Sequence, residues 1–165
     1  MTESITLFFT DLFGGLSKEL VIFLISLMPI LELRGGLIAA SLLNVEFVKA
    51  FIICYIGNIL PIPFILLFIR KVFDFLKKFP KCEKIITKLE NKTMSKSDKV
   101  QKLKYLGLFL FVAIPLPGTG GWTGALLAIL LGMDRGKSFI TIALGVLTAG
   151  IIMSILSYGI LGNLI

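Results

Sequence analysis

Uncharged runs of the chain are interrupted by short breaks rich in proline and glycine. Residues 105–114 carry no charge, residues 114–125 form such a break, and residues 125–133 are apolar again. A helix rises about 1.5 Å per residue, so ten residues reach about 15 Å, roughly half of a hydrocarbon core. The pattern predicts a re-entrant hairpin or a broken transmembrane helix. Backbone at that depth needs cover from protein or from a water-filled cavity, so the break indicates a cavity near the membrane midplane.

The same arm, break and arm occur near the start of the chain. Residues 20–28 are apolar, residues 29–36 form the break, and residues 37–43 are the second arm. A mainly apolar run that is long enough to cross a membrane follows each hairpin, at 47–69 and 138–161. Residues 2–16 have the spacing of an amphipathic helix lying at the interface.

The two blocks share internal spacings that predict a repeat. Each break has a proline six residues before a glycine, and each span has a phenylalanine six residues before a glycine. The offset is 86 residues in the hairpins and 88 in the spans, so we expect two extra residues between hairpin and span. Repeated, interrupted apolar segments are typical of transporters whose site lies where the repeats meet. The matched pairs are Pro29 with Pro115, Gly35 with Gly121, Phe51 with Phe139, and Gly57 with Gly145.

Composition and charge place this layout in a membrane. Apolar residues make up 56% of the 165, and 12 of the 17 Lys and Arg residues lie between Arg70 and Lys104. A basic connector between apolar blocks indicates a cytoplasmic loop. We therefore expect one membrane domain, residues 1–165, with repeat one at 17–69, the basic loop at 70–104 and repeat two at 105–165.

With that loop inside, the first span runs inward and the second runs outward. Re-entrant hairpins would then enter from opposite sides, which makes the repeats inverted. The alternative is that each hairpin crosses completely, giving four ordinary spans with both termini inside. We favour the first: an all-α integral membrane protein of two inverted repeats, each a re-entrant hairpin followed by a transmembrane helix, with an N-terminal interfacial helix.

Several classes of function are disfavoured. The chain has no histidine, and Cys54 and Cys82 have neither disulfide nor zinc spacing. We expect no enzyme, no catalytic or metal site and no cofactor. The basic loop lacks interleaved aromatic residues, so no nucleic-acid partner is expected.

Glu32 and Arg34 are the charged residues within the apolar hairpins. A charge at membrane depth costs about 2.5–3.5 kcal/mol and usually faces a cavity or a partner. One interpretation is a neutralising pair that pins the hairpin. The other makes Glu32 a proton acceptor or cation counter-charge, and makes Arg34 the holder of an anionic group such as phosphate.

The remaining candidates lie in the breaks, apart from Asn58. Gly35-Gly36 and Gly118 to Gly121 are each expected to precede a half-helix whose N–H groups attract an anion, or else to allow tight helix packing. Thr119 and Thr123 offer hydroxyl ligands, or bonds to carbonyls that the break frees. Trp122 is a cation–π platform or a packing residue. Asn58 in the first span reaches toward the hairpins or joins helices by hydrogen bonds. The prolines that set the breaks are Pro29, Pro115 and Pro117.

These breaks resemble those of the small multidrug export proteins, compact prokaryotic membrane proteins. The shared motifs are Pro-x-x-Glu-x-Arg-Gly from Pro29 and Pro-Gly-Thr-Gly-x-Trp-Thr-Gly from Pro117. The layout also resembles the larger DedA superfamily, which implies proton-linked lipid-carrier transport or lipid scrambling through acidic and arginine residues. Glu32 and Arg34 match that chemistry, and the second break has no acidic or arginine counterpart.

The expected function is a small secondary transporter in a prokaryotic plasma membrane. Its substrate would be an amphiphilic small molecule or a lipid phosphate, with proton coupling through Glu32 and membrane lipids around it. A homodimer is expected because so short a chain makes a thin wall around a cavity. The alternatives are an uncoupled lipid scramblase, and a membrane scaffold or assembly factor that acts through the basic loop.

Overall fold

The computed structural model describes residues 15–76 and 98–160, and within these ranges the backbone is helical, with no strand. The predicted interfacial helix at 2–16 lies outside the described residues, apart from positions 15 and 16. The helices are α1 Lys18–Leu27, α2 Glu32–Leu42, α3 Phe47–Ile59, α4 Pro61–Leu76, α5 Asp98–Ala113, α6 Gly121–Leu130 and α7 Arg135–Ser154, followed by a π-helix at Ile155–Ile160.

Two helical stretches are long and apolar enough to cross a membrane, Phe47–Phe68 and Arg135–Gly159. Only 28% and 39% of their most apolar windows are buried within the chain. On the first stretch, half-exposed apolar side chains recur every four residues, and the stripe winds around the helix because one turn takes 3.6 residues. Such exposed apolar surface is typical of a segment that contacts lipid or another protein. The stripe consists of Val48, Ile52, Ile56, Leu60, Phe64 and Phe68.

The first of these stretches changes helix at Leu60. Helix α3 ends at Ile59 and α4 begins at Pro61. Pro61 and Pro63 therefore lie in the first turn of α4, where a missing N–H costs no helical hydrogen bond. The two prolines thus lie at the middle of this stretch, where one helix ends and the next begins.

The contacts divide the chain into two compact units, Met1–Leu60 with Val146–Ile165, and Pro61–Gly145. In the first unit, α1 and α2 form a hairpin around a tip at residues 28–31, and both pack against α3. A β-carbon on Gly57 would lie 2.9 Å from the Phe23 carbonyl oxygen and 3.1 Å from the Ser26 β-carbon. So close an approach of α3 to α1 requires a residue without a side chain.

A surface ion pair also joins α1 to α3. The Lys49 ammonium lies 2.6 Å from the Glu19 carboxylate. The hydrogen bond from Lys49 holds the pKa of Glu19 below its ordinary value of 4.5. Both side chains are substantially exposed, so this pair sets register more than it adds stability.

The π-helix closes the first unit against the loop between α2 and α3. The Tyr158 hydroxyl donates to the Val45 carbonyl at 2.9 Å, and the Ser41 hydroxyl donates to the Ser157 carbonyl at 2.9 Å. The Tyr158 ring also meets Phe47 edge-on, with centroids 5.4 Å apart. The end of the last span is thereby fixed to the start of α3.

In the second unit, α5 and α6 form a second hairpin around a tip at residues 114–120. A β-carbon on Gly124 would lie 2.5 Å from Val112 and 3.7 Å from Ile142. One on Gly145 would lie 2.8 Å from the Val112 β-carbon and 3.2 Å from the Phe109 carbonyl oxygen. Glycines thus bring α5, α6 and the start of α7 into close contact.

Both breaks are shorter than predicted. The first was expected at residues 29–36, but α2 already begins at Glu32. The second was expected to reach residue 125, but α6 begins at Gly121. The glycines of these segments have a low intrinsic helix propensity, and for this reason the sequence predicted loops there. Close packing of the arms overrides that preference at Gly36 and Gly124.

Candidate functional site

Glu32 is the buried charge of the first hairpin. Its side chain is 4% exposed, and its backbone has φ of 52°, in the left-handed region. Its N–H donates to the Met28 carbonyl at 3.0 Å, which closes the tip. A non-glycine residue in this conformation costs about 1–3 kcal/mol, so the surrounding fold must hold it there.

Arg34 follows in the first turn of α2 and is half-buried. It lies within electrostatic reach of Glu32. Glu32 departs from regular helix geometry where α2 begins, so the spacing of two residues does not fix the relative directions of the two side chains. The neutralising pair therefore stays one of the two interpretations of Glu32 and Arg34.

Gly35 and Gly36 do not lie ahead of a half-helix, as was expected. They are the fourth and fifth residues of α2, and the Gly35 N–H donates to the Leu31 carbonyl at 2.8 Å. A β-carbon on Gly36 would collide with the Ser26 hydroxyl and lie 2.8 Å from the Cys54 sulfur. Gly36 therefore allows the close packing of α2 on α1 and α3, which was the other interpretation of these residues, whereas a β-carbon on Gly35 would lie 2.7 Å from the Leu31 β-carbon at the tip.

In the second tip, backbone conformation accounts for the glycines. Gly118 and Gly120 have φ of 80° and 145°, which side chains rarely allow. Gly120 caps α6 without any side-chain hydrogen bond, and Gly121 is the first helical residue. Pro115 and Pro117 lie in the irregular segment before them.

The two threonines bond to carbonyls of the same tip. The Thr119 hydroxyl lies 2.9 Å from the carbonyl oxygens of both Ile114 and Leu116. The Thr123 hydroxyl lies 3.4 Å from the Gly120 carbonyl oxygen. Trp122 lies in the first turn of α6 and is partly buried. Ligand binding by these three side chains stays a prediction.

Asn58, a candidate from the sequence, is buried in the structure. This side chain is 1% exposed, and its Oδ1 atom has no hydrogen-bond partner in the described part of the chain. An amide oxygen left without a donor in a dry interior is costly. In the sequence, Asn58 stood out as a polar residue in an apolar run. Hydrogen bonding across helices was one interpretation, but Oδ1 makes no such bond within the described residues.

Residues 32–152 match the model of the family described as "Putative small multi-drug export protein". The match covers 121 of the 165 residues and includes Glu32 and the whole second hairpin motif. No curated protein and no solved structure matches the chain significantly. The family and the two long apolar helices together support a membrane protein, and the family name refers to export.

Proposed function

The chain belongs to the small multi-drug export protein family, and from that premise we propose that it is a small secondary transporter, coupled to protons through Glu32. The proposed cargo is an amphiphilic small molecule or a lipid phosphate. We also propose that it acts as a homodimer in the prokaryotic plasma membrane, without a cofactor and without enzymatic activity. The likeness to the DedA superfamily stays a prediction.

One observation carries the proposal: a buried carboxylate on a strained backbone, at the tip of an apolar hairpin. Burial of the charge costs about 2.5–3.5 kcal/mol, and the left-handed φ adds about 1–3 kcal/mol. The second tip has glycine, Gly120, just before its return helix, where a positive φ carries no such strain. Keeping glutamate at the corresponding place in the first tip supports a role in function rather than in folding.

Matched contacts support two structural repeats. Gly57 and Gly145 each approach a phenylalanine carbonyl oxygen of the preceding hairpin, Phe23 and Phe109. Gly36 and Gly124 each face the residue three positions after that phenylalanine, Ser26 and Val112. Matched residues of the two repeats are 86 positions apart in α1 and α5, the first arms of the hairpins. They are 88 positions apart in the second arms, α2 and α6, and in the long helices that follow. This favours placing the two extra residues within the second tip rather than between hairpin and span.

The ends of the return helices match as well. Two positions after the end of α2 and of α6, the backbone enters the left-handed region. The residues there are Asn44, with φ of 52°, and Gly132, with φ of 59°. In both, the next N–H donates back five residues at 2.9 Å, from Val45 and from Met133. This is the Schellman cap.

The opposite orientation of the repeats is proposed from the basic loop at 70–104, which we place in the cytoplasm.

Helix length supports re-entrant hairpins. Helices α1 and α2 have 10 and 11 residues, and α6 has 10, so each rises about 15–17 Å. Helix α5 has 16 residues, of which Leu103–Ala113 form its apolar part. A full crossing would need the two arms of a hairpin to stack end to end. Instead α1 and α2 lie side by side through Gly36.

The test is transport in inverted membrane vesicles with an imposed pH gradient, with ethidium as the cationic probe and a fluorescent lipid phosphate as the anionic one. We expect the full-length protein to move one of them only when the gradient is present. Glu32→Gln should abolish this dependence. Glu46→Gln makes the same change at an exposed carboxylate and should leave transport intact.

Transport by Glu32→Gln at the wild-type rate, with the same gradient dependence, would remove Glu32 from the coupling role. Gradient-independent movement of the labelled lipid, equal in wild type and Glu32→Gln, would instead identify an uncoupled scramblase. Neither probe moving under any gradient would argue for the scaffold alternative.

A further inference from the structure

The backbone torsion φ of Glu32 determines how the first tip joins α2. This torsion turns the N–Cα bond of Glu32, so it sets the direction in which Leu31 and the rest of the tip leave the helix. Its value of 52° differs from the helical value of about −63°, so the tip does not continue the axis of α2. The Glu32 N–H donates to the Met28 carbonyl oxygen at 3.0 Å in this conformation.

Gly35 lies where this turn folds Leu31 onto α2. The Gly35 N–H donates to the Leu31 carbonyl oxygen at 2.8 Å, as in a helix. A β-carbon on Gly35, however, would lie 2.7 Å from the Leu31 β-carbon, whereas neighbouring β-carbons on a regular helix are about 5–6 Å apart. Because both atoms are fixed to the backbone, a change of rotamer cannot relieve this contact. The observed turn therefore requires glycine at position 35.

The neighbours of Gly35 can move, unlike those of Gly36. Gly36 faces two fully buried side chains, those of Ser26 and Cys54. Gly35 faces Leu31, which is 45% exposed. A side chain at position 35 is therefore expected to push the tip aside without unpacking the helices, and to change the left-handed backbone of the residue that follows Leu31.

We propose that Gly35 is a positioning residue, which permits the left-handed backbone of Glu32 and thereby fixes the place of its buried carboxylate. In this role Gly35 acts through Glu32 and needs no contact with the substrate. The dependence of proton coupling on this position rests on the proposed function. The backbone conformation of Glu32 does not, and it can be measured directly.

The experiment is solid-state NMR of the full-length protein in lipid bilayers, which measures the torsion between the N–H and Cα–H bonds of Glu32. These two bonds nearly eclipse each other at φ of 52° and diverge at helical φ. Carbonyl-labelled leucine with ¹⁵N,¹³C-labelled glutamate selects Leu–Glu pairs, of which the chain has two, and Glu90→Gln removes the other one. In this background we expect eclipsed bonds at Glu32, and a clear departure from eclipsing when Gly35→Ala is added.

Leu31→Gly is the matched rescue, because it removes the β-carbon that alanine at position 35 would meet. With Leu31→Gly present, Gly35→Ala should leave the Glu32 torsion unchanged, since the two effects are coupled through one contact. Gly36→Ala is the control for packing. It should lower the melting temperature, whereas Gly35→Ala should leave the melting temperature near that of the wild type.

The proposal is overturned if Gly35→Ala keeps the eclipsed torsion, or if it shifts the torsion equally with and without Leu31. A fall in melting temperature as large as that of Gly36→Ala would also overturn it, because Gly35 would then serve packing.

The vesicle assay tests the part that rests on the proposed function. Gly35→Ala should slow gradient-driven transport by about tenfold or more, because a displacement of about 1 Å at a working group can cost about 100-fold. Gly107→Ala, with nothing within 4 Å of its new β-carbon, should transport at the wild-type rate. A changed Glu32 torsion with unaltered transport supports the positioning role and contradicts coupling through Glu32. A wild type that moves neither probe contradicts the transporter, and the NMR measurement still decides the role of Gly35.

Discussion

At the scale of single residues, Glu32 could be found from the sequence, but its conformation could not. A charge among apolar neighbours was evident, and its burial follows from them. The positive φ could not be predicted, because glutamate does not favour it and only the packed hairpin imposes it. At Gly118 and Gly120 the unusual backbone conformation could be predicted, because glycine is the residue that adopts a positive φ most readily.

Glu32→Gly separates a functional role from a structural one. Glycine relieves the strain of the left-handed backbone and removes a buried charge, at an entropic cost of about 1 kcal/mol. We expect a protein as stable as wild type, or up to about 2 kcal/mol more stable, that no longer transports. Chemical unfolding in detergent and the vesicle assay measure the two properties. A clear loss of stability would support the interpretation that Glu32 pins the hairpin.

At the scale of elements, apolar runs predicted the arms and both spans, whereas the lengths of the breaks were wrong. Runs of glycine are ambiguous in a sequence, because the same residue serves a loop and a close helix crossing. Gly36 and Gly124 belong to crossings, and Gly118 and Gly120 belong to a turn. Only the partner helix distinguishes these cases, and it is remote in sequence.

Alanine at Gly57 and at Gly145 tests the two crossings. In each case the new β-carbon meets atoms closer than 3.0 Å, so packing is strained, while alanine improves helix propensity. We expect a net loss of about 1–2 kcal/mol in the free energy of unfolding from each substitution.

Gly107→Ala is the control for both. Gly107 is also helical, in α5, but nothing lies within 4 Å of its β-carbon position. Alanine there should be neutral or stabilise by up to about 1 kcal/mol. Equal effects at all three glycines would show that the crossings do not depend on close approach.

At the scale of the whole molecule, the sequence predicted the family, the helical class and the two long apolar helices. The division into units was not predicted, because the boundaries cut both long stretches, after Leu60 and after Gly145, instead of separating two consecutive blocks. Each unit takes a hairpin from one block and a span segment from the other. Patterns along the chain do not show such an exchange, which depends on pairing between distant helices.

Both hairpins are proposed to be re-entrant, which means that each enters the membrane and returns to the side from which it came. Cysteine accessibility tests it in intact cells, on a background without Cys54 and Cys82, with an impermeant thiol reagent. Single cysteines replace Thr2, Asn44, Asp134 and Asn163, one at a time. We expect Thr2, Asn44 and Asn163 to label from outside, and Asp134 to label only after the cells are opened. Labelling of Asn44 and Asp134 from outside, with both termini protected, would contradict it and establish four ordinary spans.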